Sequence, residues 1–131
     1  MSQEITAQKS LITGINVIAI YVSDLEQAKD FYVNTLGMEY REDMSGGKGI
    51  ILMAAGSMFY IEGGRQKKVD PQMTHNTVSP CFASESVREA YETLKEADVA
   101  FVEDYNQTID TFAMFRIADP DGNVIEFAGK P

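Results

Sequence analysis

The sequence predicts an α+β fold built from two copies of one module, each running strand, helix, strand, strand, strand. Three observations predict it. Apolar runs and turn residues repeat that order twice along the 131 residues. The two helix-bearing stretches match loosely, VSDLEQAKDFYVNTLGMEY from Val22 against ASESVREAYETLKEADVAF from Ala83. A module of about 55 residues is marginal alone. Two four-stranded sheets facing each other bury more and leave a cleft between them. The chain therefore reads as one domain over residues 1–131, with a first module at about 15–62, a linker at 63–76 and a second module at about 77–128.

Each element has a local reason. Ile15 to Val22 (INVIAIYV) is rich in β-branched residues and bounded by Gly14 and Ser23-Asp24, which predicts a strand buried on both faces. Ser23 or Asp24 can cap a helix whose apolar positions Leu25, Ala28, Phe31, Tyr32 and Leu36 recur every three or four residues, ended by Gly37. Met38 to Asp43 follows as a strand and Ser45-Gly46-Gly47 as a turn. Ile50 to Ala54 and Met58 to Glu62 read as a hairpin around Ala55-Gly56-Ser57.

Residues 63–76, GGRQKKVDPQMTHN, have no periodicity and read as the connection. Val78 to Ala83 is then a strand, with Pro80 marking an edge or a strand start. Ser84 can cap a helix carrying Val87, Ala90, Tyr91 and Leu94. Asp98 stands where a C-cap glycine is usual. Val99 to Glu103 reads as a strand, Tyr105 to Asp110 as a polar loop and Phe112 to Ala118 as a strand. Asp119-Pro120-Asp121-Gly122 has strong turn chemistry, and Val124 to Ala128 is the last strand.

Composition removes several function classes. Eleven basic against 20 acidic residues give a net charge of −9, which repels phosphate backbones and argues against nucleic acid as a partner. One cysteine makes no internal disulfide. With one histidine and one cysteine the chain cannot build the usual zinc cages of four Cys and His ligands, and no Ser/His/Asp arrangement is expected around the lone histidine. Gly46-Gly47 and Gly63-Gly64 lack the following helix that a phosphate-binding loop needs. The apolar stretch from Leu11 to Val22 is too short to cross a bilayer, and Met1 to Ser10 lacks the features of a secretory leader. The expectation is a cytosolic protein with no membrane partner, its first ten or so residues frayed or packed on a neighbour.

Two motifs resemble one family. Val22 to Met38, VSDLEQAKDFYVNTLGM, is similar to the opening helix of vicinal oxygen chelate proteins: glyoxalase I, bleomycin-resistance proteins and extradiol dioxygenases. Ala118 to Phe127, ADPDGNVIEF, is similar to the signature closing their second module. The resemblance runs from about Ile15 to Ala128. It implies a U-shaped mixed sheet around a pocket, a homodimer and often a divalent metal at the pocket base.

Carried over residue by residue, the resemblance puts Val17, Glu62, Ser79 and Glu126 at the four metal positions. Valine coordinates nothing, and two carboxylates with one hydroxyl hold a metal poorly. The reading is therefore metal-free, with Glu62 and Glu126 the ligands if a divalent ion is held. His75 is either a displaced ligand or an exposed loop histidine.

Strand alternation selects the remaining candidates. Val17, Ala19 and Tyr21 share one face of the first strand, and Met58, Tyr60 and Glu62 share one of the fourth. Ser79 and Cys81 align in the second module, as do Phe112 and Met114. Together they form an apolar and aromatic wall with a few polar groups, the usual make-up of a small-molecule site. Glu126 is either a cleft-facing base or an anchor, or it pairs with a Tyr hydroxyl or with Arg116. Glu62 is a catalytic acid or a solvated strand end. Cys81, on a strand expected to be buried, is an inert core or pocket-wall thiol unless a cation activates it.

The resulting expectation is a small-molecule binding protein, with no cofactor, that sequesters a cationic or aromatic ligand. The alternative is a glyoxalase- or lyase-type enzyme, or a dioxygenase-like relative, in which Glu126 and Glu62 act on a proton beside a carbonyl with a weakly held divalent metal. A dimeric module with a vestigial pocket is the third reading.

Overall fold

The computed structural model describes residues 11–66 and 78–131. The leader Met1 to Ser10, His75 and most of the connection at 63–76 lie outside the described residues.

The first sheet contains β1 (Ile18–Tyr21), β2 (Glu39–Met44), β3 (Gly49–Ala54) and β4 (Ser57–Glu62), in spatial order β1-β4-β3-β2. The second contains β5 (Cys81–Phe82), β6 (Ala100–Ile109), β7 (Phe112–Ala118) and β8 (Val124–Gly129), in order β5-β8-β7-β6. Both sheets are mixed. β1 runs parallel to β4 and β5 parallel to β8, and the other neighbours are antiparallel. One module order is thus used twice, as the duplicated pattern predicts.

Local chemistry explains most boundaries. The Asp24 side chain accepts from the Gln27 backbone N–H and opens α1 (Leu25–Lys29), which continues as a π-helical segment over Asp30–Thr35. Gly37 follows with φ of +83°, and its N–H reaches the Val33 carbonyl at 3.1 Å. Ala55 and Gly56 both adopt positive φ, 50° and 85°, as a tight two-residue hairpin requires. Asp98 takes the left-handed conformation expected of the C-cap position, at φ of 58°.

Four expectations change. β1 is shorter than Ile15 to Val22 and is not buried on both faces: Ile20 is in the core, whereas Ala19 and Tyr21 are exposed. The strand expected over Val78 to Ala83 shrinks to Cys81–Phe82, because Pro80 has no N–H to give and the chain pairs only briefly with β8 at the sheet edge. The second helix, α2 (Val87–Glu96), starts later than expected. Ser86 rather than Ser84 caps it, accepting from the Glu89 N–H. The polar stretch from Tyr105 is strand through Ile109, not loop. Its Asn106 and Gln107 sit opposite Met114 and Ala113 of β7, with bulges absorbing the irregular spacing.

The helices cover one face of each sheet. Ala28, Phe31 and Tyr32 pack with Ile20, Ile50, Leu52, Phe59 and Ile61, while Val87 and Leu94 pack with Phe115 and Ile117. All belong to one continuous buried cluster. The other face of each sheet is open, as alternating burial along β4 and β7 shows. The modules join within this chain. Phe59 of β4 contacts Phe82 of β5, with ring centroids 5.6 Å apart. Asp121 accepts from the Ser23 N–H at 3.0 Å and from its hydroxyl at 3.1 Å. Asp119 accepts from the Tyr32 hydroxyl at 2.7 Å. The DPDG segment, expected to serve as a turn, is therefore also the clasp between modules.

Candidate functional site

A cleft of about 720 Å³ lies between the edge strands β1 and β5. Ala19 and Tyr21 line it from the first module, and Ser79 and Cys81 from the second. Sequence reasoning missed Arg65, Gln66 and Asn123, which supply most of its remaining polar groups. Arg65 and Gln66 lie in a connection that carried no pattern. Asn123 belongs to the turn, and its Nδ2 donates to the Tyr21 carbonyl at 3.2 Å and to Asp119 at 2.9 Å.

Met58, Tyr60 and Glu62 lie beside the cleft on the open face of the first sheet. Met114, Arg116 and Glu126 lie on the open face of the second, with Phe112 at its far end. Neither Glu62 nor Glu126 lines the cleft itself. Val17 stands one residue before β1 and is also absent from its lining.

Both candidate carboxylates are engaged. Tyr60 donates its hydroxyl to Glu62 at 2.6 Å, and Arg65 Nη2 bonds the other carboxylate oxygen at 3.0 Å. The tyrosine bond, and then the arginine, hold the Glu62 carboxyl below its ordinary range. Because Tyr60 gives its proton to Glu62, Ser45 donates to the Tyr60 oxygen at 2.8 Å. Gly49 makes room for this ring: a Cβ there would stand 2.5 Å from it. The Arg65 guanidinium also lies 4.2 Å from the centre of the Tyr21 ring.

In the second module Arg116 Nη2 meets Glu126 at 3.0 Å, and its Nη1 bonds Glu103. Of the alternatives for Glu126, the pairing with Arg116 is the one formed. Cys81 is exposed instead of buried, because β5 is an edge strand. Partial withdrawal of its sulfur from water, and next the hydrogen bond to Glu126 and that carboxylate's charge, push the thiol up despite Arg116. The thiol should therefore alkylate slowly at pH 8. Glu126→Gln should speed iodoacetamide labelling several-fold, and an unchanged rate would contradict this coupling.

Register also revises one metal position. Ala19 and Cys81 each precede their helix cap, Asp24 or Ser86, by the same interval, and they pair with Tyr60 and Glu126 respectively. The first-module counterpart of Glu126 is therefore Tyr60. Glu62 lies one step further along the same face. With valine at 17, tyrosine at 60 and Glu126 bonded to a guanidinium, these residues do not fit the divalent metal the fold often carries. Among the described residues, no three or more His, Cys, Asp or Glu side chains gather to hold a metal ion. No helix there is long and apolar enough to cross a membrane.

Comparison with known proteins places this geometry. Residues 14–127 match the family model described as Glyoxalase/Bleomycin resistance protein/Dioxygenase superfamily. A glyoxalase/dioxygenase from Nostoc punctiforme is 20% identical and superimposes with a TM-score of 0.75 over 99% of both chains. A glyoxalase family protein from Enterococcus faecalis is 24% identical, with a TM-score of 0.72 over 91% of this chain and 99% of that one. A lactoylglutathione lyase from Agrobacterium tumefaciens is 22% identical, with a TM-score of 0.66 over 91% and 95%. Among curated proteins none matches the sequence. The paired βαβββ modules, the closing ADPDGNVIEF strand and a family match across nearly the whole sequence agree: this chain belongs to the glyoxalase/bleomycin resistance protein/dioxygenase superfamily.

Proposed function

We propose that the protein binds a small molecule in the β1–β5 cleft without a metal, and that the ligand carries a cationic or aromatic group. The observation carrying this reading is the contrast between an open, largely apolar cleft and two neighbouring carboxylates already engaged by arginines. A base must be free to take a proton, whereas a binding wall needs only shape and a few fixed polar groups. Tyr21 is 47% exposed, and one face of its ring already holds a planar cation, Arg65. The acidic surplus of the chain favours the same ligand class. The exposed apolar side chains of Ile15 and Val78, both at the cleft, support assembly as a homodimer that covers them. The single free thiol suits the cytosol.

A thermal-shift screen of planar cationic aromatics against keto acids tests the reading. A ligand at a hundredfold excess over its Kd should stabilise the protein by about 2.7 kcal/mol, and Tyr21→Ala should abolish the shift. Turnover of a keto acid, or no response to any cationic aromatic, would sink it.

A further inference from the structure

We infer that Tyr21 and Glu62 form a subsite for a planar monocation, an amidinium or guanidinium group, which the chain's own Arg65 occupies in the free protein and which a ligand fills by displacing it. This rests on the binding reading above and names the group recognised. Tyr21 and Glu62 are register partners on β1 and β4, so their side chains lie next to each other on the open face. One offers a ring face and the other a carboxylate, the two features that hold a planar cation. Arg65 uses both. Its guanidinium lies 4.2 Å from the centre of the Tyr21 ring, and its Nη2 lies 3.0 Å from Glu62. The carboxylate is already aimed, because the Tyr60 hydroxyl fixes its other oxygen at 2.6 Å.

The Arg65 backbone is held in place. Its N–H reaches the Val22 carbonyl at 3.0 Å, and the Gly64 N–H reaches the Ser23 carbonyl at 3.2 Å. The side chain is free to leave. It is 54% exposed, and an exposed ion pair and an exposed ring contact are each worth little. A ligand therefore replaces it at small cost. Among the described residues, Arg65 alone lines both the β1–β5 cleft and a second cavity of about 470 Å³, and Glu62 lines only the second. The Arg65 side chain is thus the partition that keeps Glu62 out of the cleft. With that side chain swung into solvent the two spaces join. A cationic head then reaches Glu62 while an aromatic body lies in the apolar cleft.

Benzamidine, an aryl amidinium, tests the inference, with neutral benzamide of similar shape as the control. Both are titrated by calorimetry into wild type, into Arg65→Ala, and into Arg65→Ala combined with Tyr21→Ala or with Glu62→Gln. Circular dichroism reports the fold, and Arg65→Gln serves if the alanine variant misfolds. Removing the resident cation should tighten benzamidine about tenfold, and either added change should reverse the gain. Benzamide should not distinguish the variants. Weaker or unchanged benzamidine binding in a folded Arg65 variant overturns the inference, since Arg65 would then be part of the wall and not a stand-in for the ligand. The binding reading survives that result if wild type still answers the thermal-shift screen through Tyr21. A gain that the added changes leave intact also overturns the inference. So does an absence of benzamidine binding in every variant, and the wider screen on wild type then judges the binding reading separately.

Discussion

Replacing Asp119 by alanine should destabilise the protein by about 3 to 5 kcal/mol, a loss readable by urea denaturation. Asp119 is 3% exposed and accepts four hydrogen bonds. Three come from within its own turn: the N–H groups of Asp121 and Asn123 and the Asn123 side-chain amide. The fourth is from Tyr32, which is fully buried under the first helix. Alanine leaves that hydroxyl with no acceptor and no access to water, the expensive case for a buried polar group. It also frees the turn that aims Asp121 at Ser23, so the modules lose their clasp. Tyr32→Phe removes the donor as well and should cost only about 1 to 2 kcal/mol. The double variant should be more stable than the sum of the single losses implies, and strict additivity would contradict the pairing.

The same pair has a pH signature. Burial first, and then the charge of Asp119, hold the Tyr32 phenol well above its ordinary value of 10.0. Because the folded pKa is the higher one, this contribution is complete below pH 10 and is lost as pH rises above it. Tyr32→Phe should remove that alkaline loss.

Phe115→Ala should cost about 3 to 5 kcal/mol as well, through a cavity instead of a lost acceptor. Phe115 is fully buried and stacks on Phe127 with centroids 5.1 Å apart, flanked by Tyr91 and Phe101 at 5.7 and 5.6 Å. Phe112, on the same strand but on the open face, is 41% exposed. Its change to alanine should cost less than about 1 kcal/mol. Equal costs for the two would mean that β7 does not divide a packed face from an open one.

That division was legible before any coordinates. Alternation along Phe112 to Ala118 separates residues 112, 114 and 116 from 113, 115 and 117, and the burial pattern follows it. The hairpin at Ala55-Gly56 and the stop at Gly37 were legible for the same reason, while the cap of the first helix was narrowed to Ser23 or Asp24, of which Asp24 forms it. Each depends on a few neighbouring residues whose backbone preferences agree. Where two local options were equally good, the chain alone did not choose. Ser84 and Ser86 are both competent caps, and the point at which β5 releases the chain selects the second. The polar run from Tyr105 has no strand signature, since both its faces are exposed, yet β7 offers it ladder partners.

The duplicated module, the turns, the faces of the long strands and the two motifs that mark the family follow from the chain alone. These are short-range properties, decided by periodicity, φ preferences and capping chemistry. Tertiary structure alone decided what the acidic groups do. Asp119 and Asp121 look like turn residues until Tyr32 and Ser23, 87 and 98 positions away, are brought against them. Glu126 looks like a base or a ligand until the register of β7 on β8 sets Arg116 opposite it. A carboxylate's role depends on which donor shares its space, and strand pairing and module docking choose that donor.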